Sequence, residues 1–411
     1  MELTKKEISV LQETAKQYME FASLPIHKEK IKLWKAINRS RMERPMVVID
    51  QIPWIEMNNE HELDLFVEDP VFRKVEYNLK KEIYKFRHYP VDMVLDPFIR
   101  VPKAITNTGY GIGVEQKTLY ASGSVSSHEY KNQLVTMEDG KKIKDMVITH
   151  DIQETKRRYE TAKEMFKGIA SVEMEGMSFH LGVWDMLSQL MGVENIYFDL
   201  IDEPEKIHFF MERMTNSVIK GIEQANELEI FDDKANTCHC AYIYTDELLP
   251  DSGMSKGPNT KNGWALGMAQ LFSSVSPAIT EEFEIPYIKR TAEHFGMIYY
   301  GCCDRLDDRL DSVLEIPHLK KVSCSPWSDR EAFAEKIGPK VIMSNKPTPA
   351  LVATATLDED EIRKDLQRTV EAARKNNVNL EIILKDISTV KCEPERLTRW
   401  ADIAMDVVNN Y

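Results

Sequence analysis

Hydrophobic positions along this chain alternate between two signatures. Short runs rich in Val, Ile, Tyr and Cys recur: MVVID (46–50), VDMVLD (91–96), IASVEM (169–174), TCHCAYIY (237–244), MIYYGC (297–302), KKVSC (320–324), KVIMS (340–344) and LEIILKD (380–386). Continuous β-branched and aromatic runs suit strands buried on both faces, as in parallel sheets. Longer segments of helical period lie between most of them. EPEKIHFFMERMTNSVIKGIEQANEL (203–228) repeats apolar residues at i, i+3, i+4 and i+7, with Asp202 placed to cap it. SPAITEEFEIPYIKRTAEHFG (276–296) opens on Ser-Pro, carries Pro286 and stops at Gly296. DEDEIRKDLQRTVEAARKNN (358–377) puts acids in its first turn and bases in its last, matching the helix dipole. Repeated strand–helix alternation predicts a (β/α)8 TIM barrel over residues 46–411. A doubly wound sheet is the competing fold, and no GxGxxG turn supports it.

Two parts stand outside the repeat. Residues 1–45 read as an N-terminal helical extension. Residues 100–150 alternate Gly and Ser with β formers, and MEDGKK reads as a hairpin turn. That predicts a β-hairpin insertion after strand two, on the rim where barrel strands end.

Composition narrows the class. Hydrophobic residues make up 43%, enough for a packed core. No apolar run approaches the roughly 18 residues a membrane span needs. The charged, amphipathic opening MELTKKEISVLQETAKQYME has no signal-peptide core. A soluble, cytoplasmic protein without a membrane partner is expected. The formal charge of −14 argues against nucleic acid, whose phosphates need a basic surface.

Candidate chemistry follows from the predicted barrel, whose catalytic groups belong at strand C-terminal ends. Those ends carry Asp50, Asp96, Glu173 and Glu175, Tyr244 and Asp246, Cys302 with Cys303 and Asp304, Cys324 and Trp327, Ser344 and Lys346, Lys385 and Asp386. Four of the six cysteines (240, 302, 303 and 324) fall at or near them. Thiolates with His and carboxylate make a zinc shell; free Cys also fills cores as a small hydrophobe. Strand alternation points one of Cys302 and Cys303 inward and the other away. On the same rule His239 faces opposite to Cys238 and Cys240, which suits a hydrogen-bonded core histidine. No CxxC pair is present. In FHLGVWDMLSQLMG, His180, Trp184 and Asp185 form a polar–aromatic group. Trp54, Trp264 and Trp327 sit in predicted loops, where exposed aromatics suggest a pocket wall.

The blocks LWKAINRSRMERPMVVIDQIPW, DLIDEPEKIHFFMERM, SPAITEEFEIPYIKRTAEHFGMIYYGCCDRLDDRLDSVLEIPHLKKVSCSPWSD and VIMSNKPTP, in that order, resemble the uroporphyrinogen decarboxylase superfamily over about residues 30–405. The resemblance implies a (β/α)8 barrel with an N-terminal helical extension. One branch decarboxylates a tetrapyrrole without metal and carries an RQAGRYLPEY-type block near its N-terminus. INRSRMERPMVVIDQIPW stands there instead. The other branch holds zinc methyltransferases of corrinoid-dependent methyl metabolism, including those of O-demethylases. Their strand-end His-x-Cys-Gly matches YYGCC, with Tyr300 at the His position and Cys302 at the first Cys position. Their later Cys falls near Met343 or Ser344.

The expected function is therefore that of a methyltransferase. It would take a methyl group from a small methylated substrate, such as a methoxylated aromatic, and pass it to the Co(I) of a separate corrinoid protein. The chain has no DxHxxG cobalamin motif of its own. Zinc is the expected metal, with Cys302, Cys303, Glu282 and Cys324 as candidate ligands. Tyr300, Asp246 and His180 are the candidate catalytic residues. Trp54, Trp184, Tyr244, Trp264 and Trp327 are the candidate substrate contacts. A homodimer is compatible with this reading. The alternatives are a metal-free decarboxylase or lyase using Arg100, Lys103, Arg305 and Lys346, and a non-catalytic binding protein.

Overall fold

The computed structural model describes residues 3–119, 127–248 and 258–411. Its centre is a six-stranded sheet: β1 (Met46–Ile49), β2 (Trp264–Gly267), β3 (Met297–Tyr300), β4 (Leu319–Cys324), β5 (Ile342–Asn345) and β6 (Asn379–Leu384), in the order β1-β6-β5-β4-β3-β2. Every pairing is parallel. Helices cover the sheet, so β1, β2, β3, β5 and β6 are buried along their whole length. This is why their sequences read as unbroken apolar runs. The helix expected over 358–377 spans Glu359–Lys375, capped by the Asp358 side chain. The one expected over 276–296 is broken at Glu284 into Pro277–Phe283 and Ile285–Ala292, because Pro286 can only sit in a first turn.

Three expected strands behave differently. VDMVLD forms no strand; Asp92 instead clamps the free edge of β1. Its N–H donates to Val47 O at 2.9 Å, and its carboxylate accepts Val47 N–H at 2.9 Å and both Arg44 amino groups at 2.7 and 2.8 Å. IASVEM contributes Ser171–Glu175, which pairs in parallel with Phe98–Pro102 outside the main sheet. TCHCAYIY is not a sheet strand at all. It folds into a tight antiparallel pair, Thr237–Cys238 with Ala241–Tyr242, and His239 takes a positive φ of 56° in the turn. The second edge of the sheet belongs to WALG, which carries Trp264; a single parallel bridge joins its Leu266 to His180, and a separate one joins Met177 to Phe231.

In the 100–150 region, Ile105–Asn107 pairs antiparallel with Ile148–His150, and Gln116–Leu119 with Ser127–Tyr130. MEDGKK is a 3-10 turn (Met137–Lys142) rather than a hairpin turn. Thr136 and Asp139 cap it reciprocally, Thr136 N–H donating to Asp139 Oδ2 at 2.7 Å. At the N-terminus, helices Lys5–Ala22 and Ile26–Asn38 dock by several long-range hydrogen bonds, two of them from buried aromatic side chains. Tyr18 OH donates to Asp96 O at 3.0 Å, and the fully buried Trp34 donates to Asp92 O at 2.9 Å. No described helix is long and apolar enough to cross a membrane.

Inside the sheet lies a polar layer built by register. Tyr299 pairs with Lys321, and Ser344 with Glu381. Lys321 Nζ donates to Glu381 Oε2 at 2.6 Å and to Tyr242 O at 2.9 Å. Lys346 donates to Ser344 Oγ at 2.6 Å and to Tyr299 OH, whose own contact with Ser344 Oγ is 2.7 Å.

Candidate active site

Above that layer, at the strand C-terminal ends, five polar side chains converge. Two follow β3 and two follow β6; the fifth is the hairpin histidine. The turn after β3 brings both cysteines to one place. Gly301 leaves the strand at φ 92°, where a Cβ would lie 2.9 Å from Leu306 Cδ1 and 3.0 Å from Ser323 Cβ. Only glycine fits. Asp304 Oδ1 then accepts Cys302 N–H at 2.8 Å, Arg309 donates to Asp304 Oδ2 at 3.1 Å, and Ser323 Oγ donates to Cys302 O at 2.5 Å. Strand alternation is lost at this bend. Cys302 and Cys303 therefore do not point to opposite sides; their sulfurs are 3.3 Å apart.

Around Cys302 Sγ stand Lys385 Nζ at 3.1 Å and His239 Nε2 at 3.4 Å, with Lys385 Nζ also 3.0 Å from that Nε2. The histidine tautomer decides whether Nε2 donates to the sulfur or accepts from the ammonium. Cys303 Sγ donates to Asp386 Oδ2 at 2.8 Å, and Asp386 Oδ2 lies 3.2 Å from Lys385 Nζ. The single Cys303 proton thus has two acceptors within reach, Asp386 Oδ2 and Cys302 Sγ. The hydrogen bond between them is the largest influence on each. It pulls Cys302 far below the ordinary thiol range, with His239 and Lys385 helping against burial, and pushes Cys303 up. These contacts favour the thiolate form at Cys302 and the thiol form at Cys303. Burial works to neutralise Lys385, but Cys302 and Cys240 outweigh it, and its pKa rises.

His239 links this cluster to a cavity of about 790 Å³, which it lines together with His180, Phe179, Phe231, Tyr244 and Trp264. Burial is the largest influence on His180 and lowers its pKa, with the charge of His239 adding to the effect. Asp185 is pushed up to about 6, chiefly by burial. Both groups crowd Gly182, where a Cβ would collide with His180 Cε1 and lie 3.4 Å from Asp185 Oδ2.

The other expected residues scatter. Tyr244 lines the cavity but spends its hydroxyl on Asp96 Oδ1 at 2.8 Å. Asp246 is at the cavity's outer end, paired with Lys35 at 2.6 Å and Arg39 at 2.5 Å. Tyr300 OH donates to Glu284 Oε1 at 2.9 Å in the core. Trp184 is fully buried against Phe272. Trp264 is a buried strand residue rather than a loop aromatic. Trp54 lines a second cavity of about 390 Å³ with Lys81 Nζ 4.5 Å above its ring. Trp327 is exposed. Glu282 faces outward on Pro277–Phe283, 3.4 Å from His208 Nε2. Cys324 is buried at the end of β4, its thiol pushed up to about 12 by burial.

Of the expected ligands, only Cys302 and Cys303 meet. Among the described residues, no three His, Cys, Asp or Glu side chains are arranged to hold a metal ion. The Lys385 ammonium occupies the space beside Cys302 and His239 that a cation would need. His239, Lys385 and Asp386 were not singled out by pattern. His239 read as a strand core residue, and Lys385 and Asp386 as two strand-end residues among many. Their signal was position: LEIILKD ends its apolar run on adjacent charges.

Compared with known proteins, the sequence matches no family model and no curated protein. Among solved structures it is similar to a methyltransferase from Methanosarcina mazei, at 12% identity and a TM-score of 0.50, covering 91% of this chain and 97% of that one. At this identity the likeness is one of fold.

Proposed function

We propose that this protein is a methyltransferase that demethylates a small methylated substrate, such as a methoxylated aromatic, and passes the methyl group to a separate corrinoid protein. One observation carries the reading: a thiolate–ammonium–imidazole contact at strand ends, with the imidazole lining a cavity of ligand size. The fold shared with a methyltransferase is compatible with it.

The chemical demand is on the leaving group. A methyl ether releases a poorly stabilised oxyanion, so donors must already stand where that charge develops. His239, which lines the cavity, would be such a donor, with the Lys385 ammonium behind it at 3.0 Å. The Cys302 thiolate keeps the Lys385 ammonium protonated in a buried place and holds both groups in position. Phe179, Phe231 and Trp264 give the cavity aromatic walls, and Asp185 and His180 are its nearby proton carriers. The partner's corrinoid supplies the nucleophile that takes the methyl group. This chain supplies orientation, leaving-group stabilisation and exclusion of water.

The zinc ion implied by the sequence resemblance does not fit the donors as they stand, because Lys385 fills its place; no step here depends on it. Elemental analysis of protein purified without chelators decides this. Substoichiometric zinc agrees with the ammonium-held thiolate. One zinc per chain, lost in Cys302→Ser, would mean that Lys385 withdraws and would restore the zinc reading.

The cations a decarboxylase would need at the mouth are engaged elsewhere. Arg100 pairs with Asp232, Lys103 donates to Glu229 O at 3.2 Å, Arg305 lies 3.5 Å from Asp307, and Lys346 is buried in the polar layer. The test of function is methyl transfer to free cob(I)alamin, followed by its visible absorbance, with a panel of O-, N- and S-methyl donors. Transfer from an aryl methyl ether is expected. No transfer from any donor, with the protein folded, would sink the reading.

A further inference from the structure

The vicinal cysteines carry more than a thiolate. The geometry points to a redox-modification site: Cys302 is oxidised by a hydroperoxide and then captured by Cys303 as a reversible vicinal disulfide. Four observations support this. The sulfurs are 3.3 Å apart, so bonding needs an approach of little more than 1 Å. Lys385 Nζ at 3.1 Å gives Cys302 Sγ the positive neighbour that activates thiols, and His239 Nε2 lies 3.4 Å away as a further polar contact. Cys302 is buried, but it touches Cys303, which is only half-buried and opens a way in for a small oxidant; Cys238, Cys240 and Cys324 are buried as well. Asp386 Oδ2, 2.8 Å from Cys303 Sγ, is placed to receive the thiol proton.

The chemistry closes without another reagent. The Cys302 thiolate attacks one oxygen of the hydroperoxide. The O–O bond breaks, the sulfur is oxidised to a sulfenic acid, and the peroxide is reduced to hydroxide, or to alkoxide for an organic hydroperoxide. Cys303 then gives its proton to Asp386, and its sulfur attacks that of Cys302. The S–S bond forms, the S–O bond breaks, and the departing hydroxide takes the proton to leave as water. The disulfide removes the anion that positions Lys385 and His239, so oxidation switches the site off. A thiol reductant restores it.

The experiment uses the full chain and hydrogen peroxide, with alkylation and peptide mass spectrometry. The expected product is a Cys302–Cys303 peptide that has lost two hydrogens, resists alkylation and recovers with dithiothreitol. It should form at least tenfold faster than the exposed Cys392 is consumed. In Cys303→Ser, Cys302 should instead go on to sulfinic acid. Sulfinic acid at Cys302 in the unmodified chain would overturn the proposal. So would oxidation no faster than that of Cys392, or a mixed disulfide of Cys302 with any other cysteine.

Discussion

Lys321 and Lys385 come from neighbouring parts of one sheet and have opposite uses. Lys321, in the middle of β4, is wholly buried and meets a carboxylate, Glu381, at 2.6 Å. Lys385, one residue beyond β6, is nearly as buried but meets a thiolate and an imidazole at the edge of a cavity. Burial dominates Lys321 and its pKa falls in spite of Glu381. At Lys385 the sulfurs win and the pKa rises. A lysine enclosed on every side with a carboxylate in register fixes the interior. A lysine whose counter-anion is a soft thiolate, and whose other neighbour is a histidine that lines a cavity, keeps a charge close to that cavity.

The largest effect tests the enclosed pair. Lys321→Met strands Glu381 as an unpaired buried carboxylate, which typically costs about 3–5 kcal/mol. Adding Glu381→Leu removes the stranded charge and should return most of that loss. Urea denaturation of the wild-type chain, the single variant and the double variant measures both. A single variant within about 1 kcal/mol of wild type would break the distinction between the two lysines.

At the rim the effect moves from stability to rate. In the proposed reaction Lys385→Met removes the charge behind His239, the donor nearest the leaving oxygen, an expected loss of roughly 100-fold in methyl transfer. Unfolding free energy should change by about 1 kcal/mol, since Cys302 can take up a proton when the ammonium is gone. Cys302→Ser should lose as much rate, and Cys303→Ser much less. Equal rates for the two serine variants would remove Cys302 from its special position.

How much of this was readable in advance depends on local signal. Strands β1, β3, β5 and β6 are plain in the sequence because burial along their whole length favours apolar runs, and β4 is marked by its buried VSC end. β2 was missed because WALG is four residues long and ends on glycine. TCHCAYIY has the composition of a strand, yet its turn carries His239 at φ 56°, which tertiary packing imposes and composition does not announce. That misreading hid the histidine that joins the thiolate to the cavity. The GCC stretch was legible as unusual, but not its geometry. Gly301 ends strand alternation one residue too early for the period-two rule to apply.

A smaller effect reads pH. Burial pushes Glu284 up to about 8 from an ordinary 4.5, with Tyr300 donating to it. The folded state therefore holds a proton that the unfolded chain releases above about 4.5. The stability this contributes is complete below that pH and is lost as pH rises through about 8. Glu284→Gln should flatten that part of the stability profile; an unchanged slope would show that other groups set it.

The smallest effect marks the outer limit of the comparison. Glu282 and His208 make an exposed contact at 3.4 Å, with the Glu282 side chain 56% accessible. Water already solvates both groups, so neither the enclosure of Lys321 nor the thiolate partner of Lys385 applies. Glu282→Ala should change unfolding free energy by no more than about 0.5 kcal/mol and leave methyl transfer and zinc content as they were. If zinc and activity fell together instead, the carboxylate would have to reach the cysteines in solution, and the separation drawn between surface, rim and interior charges would fail at its simplest point.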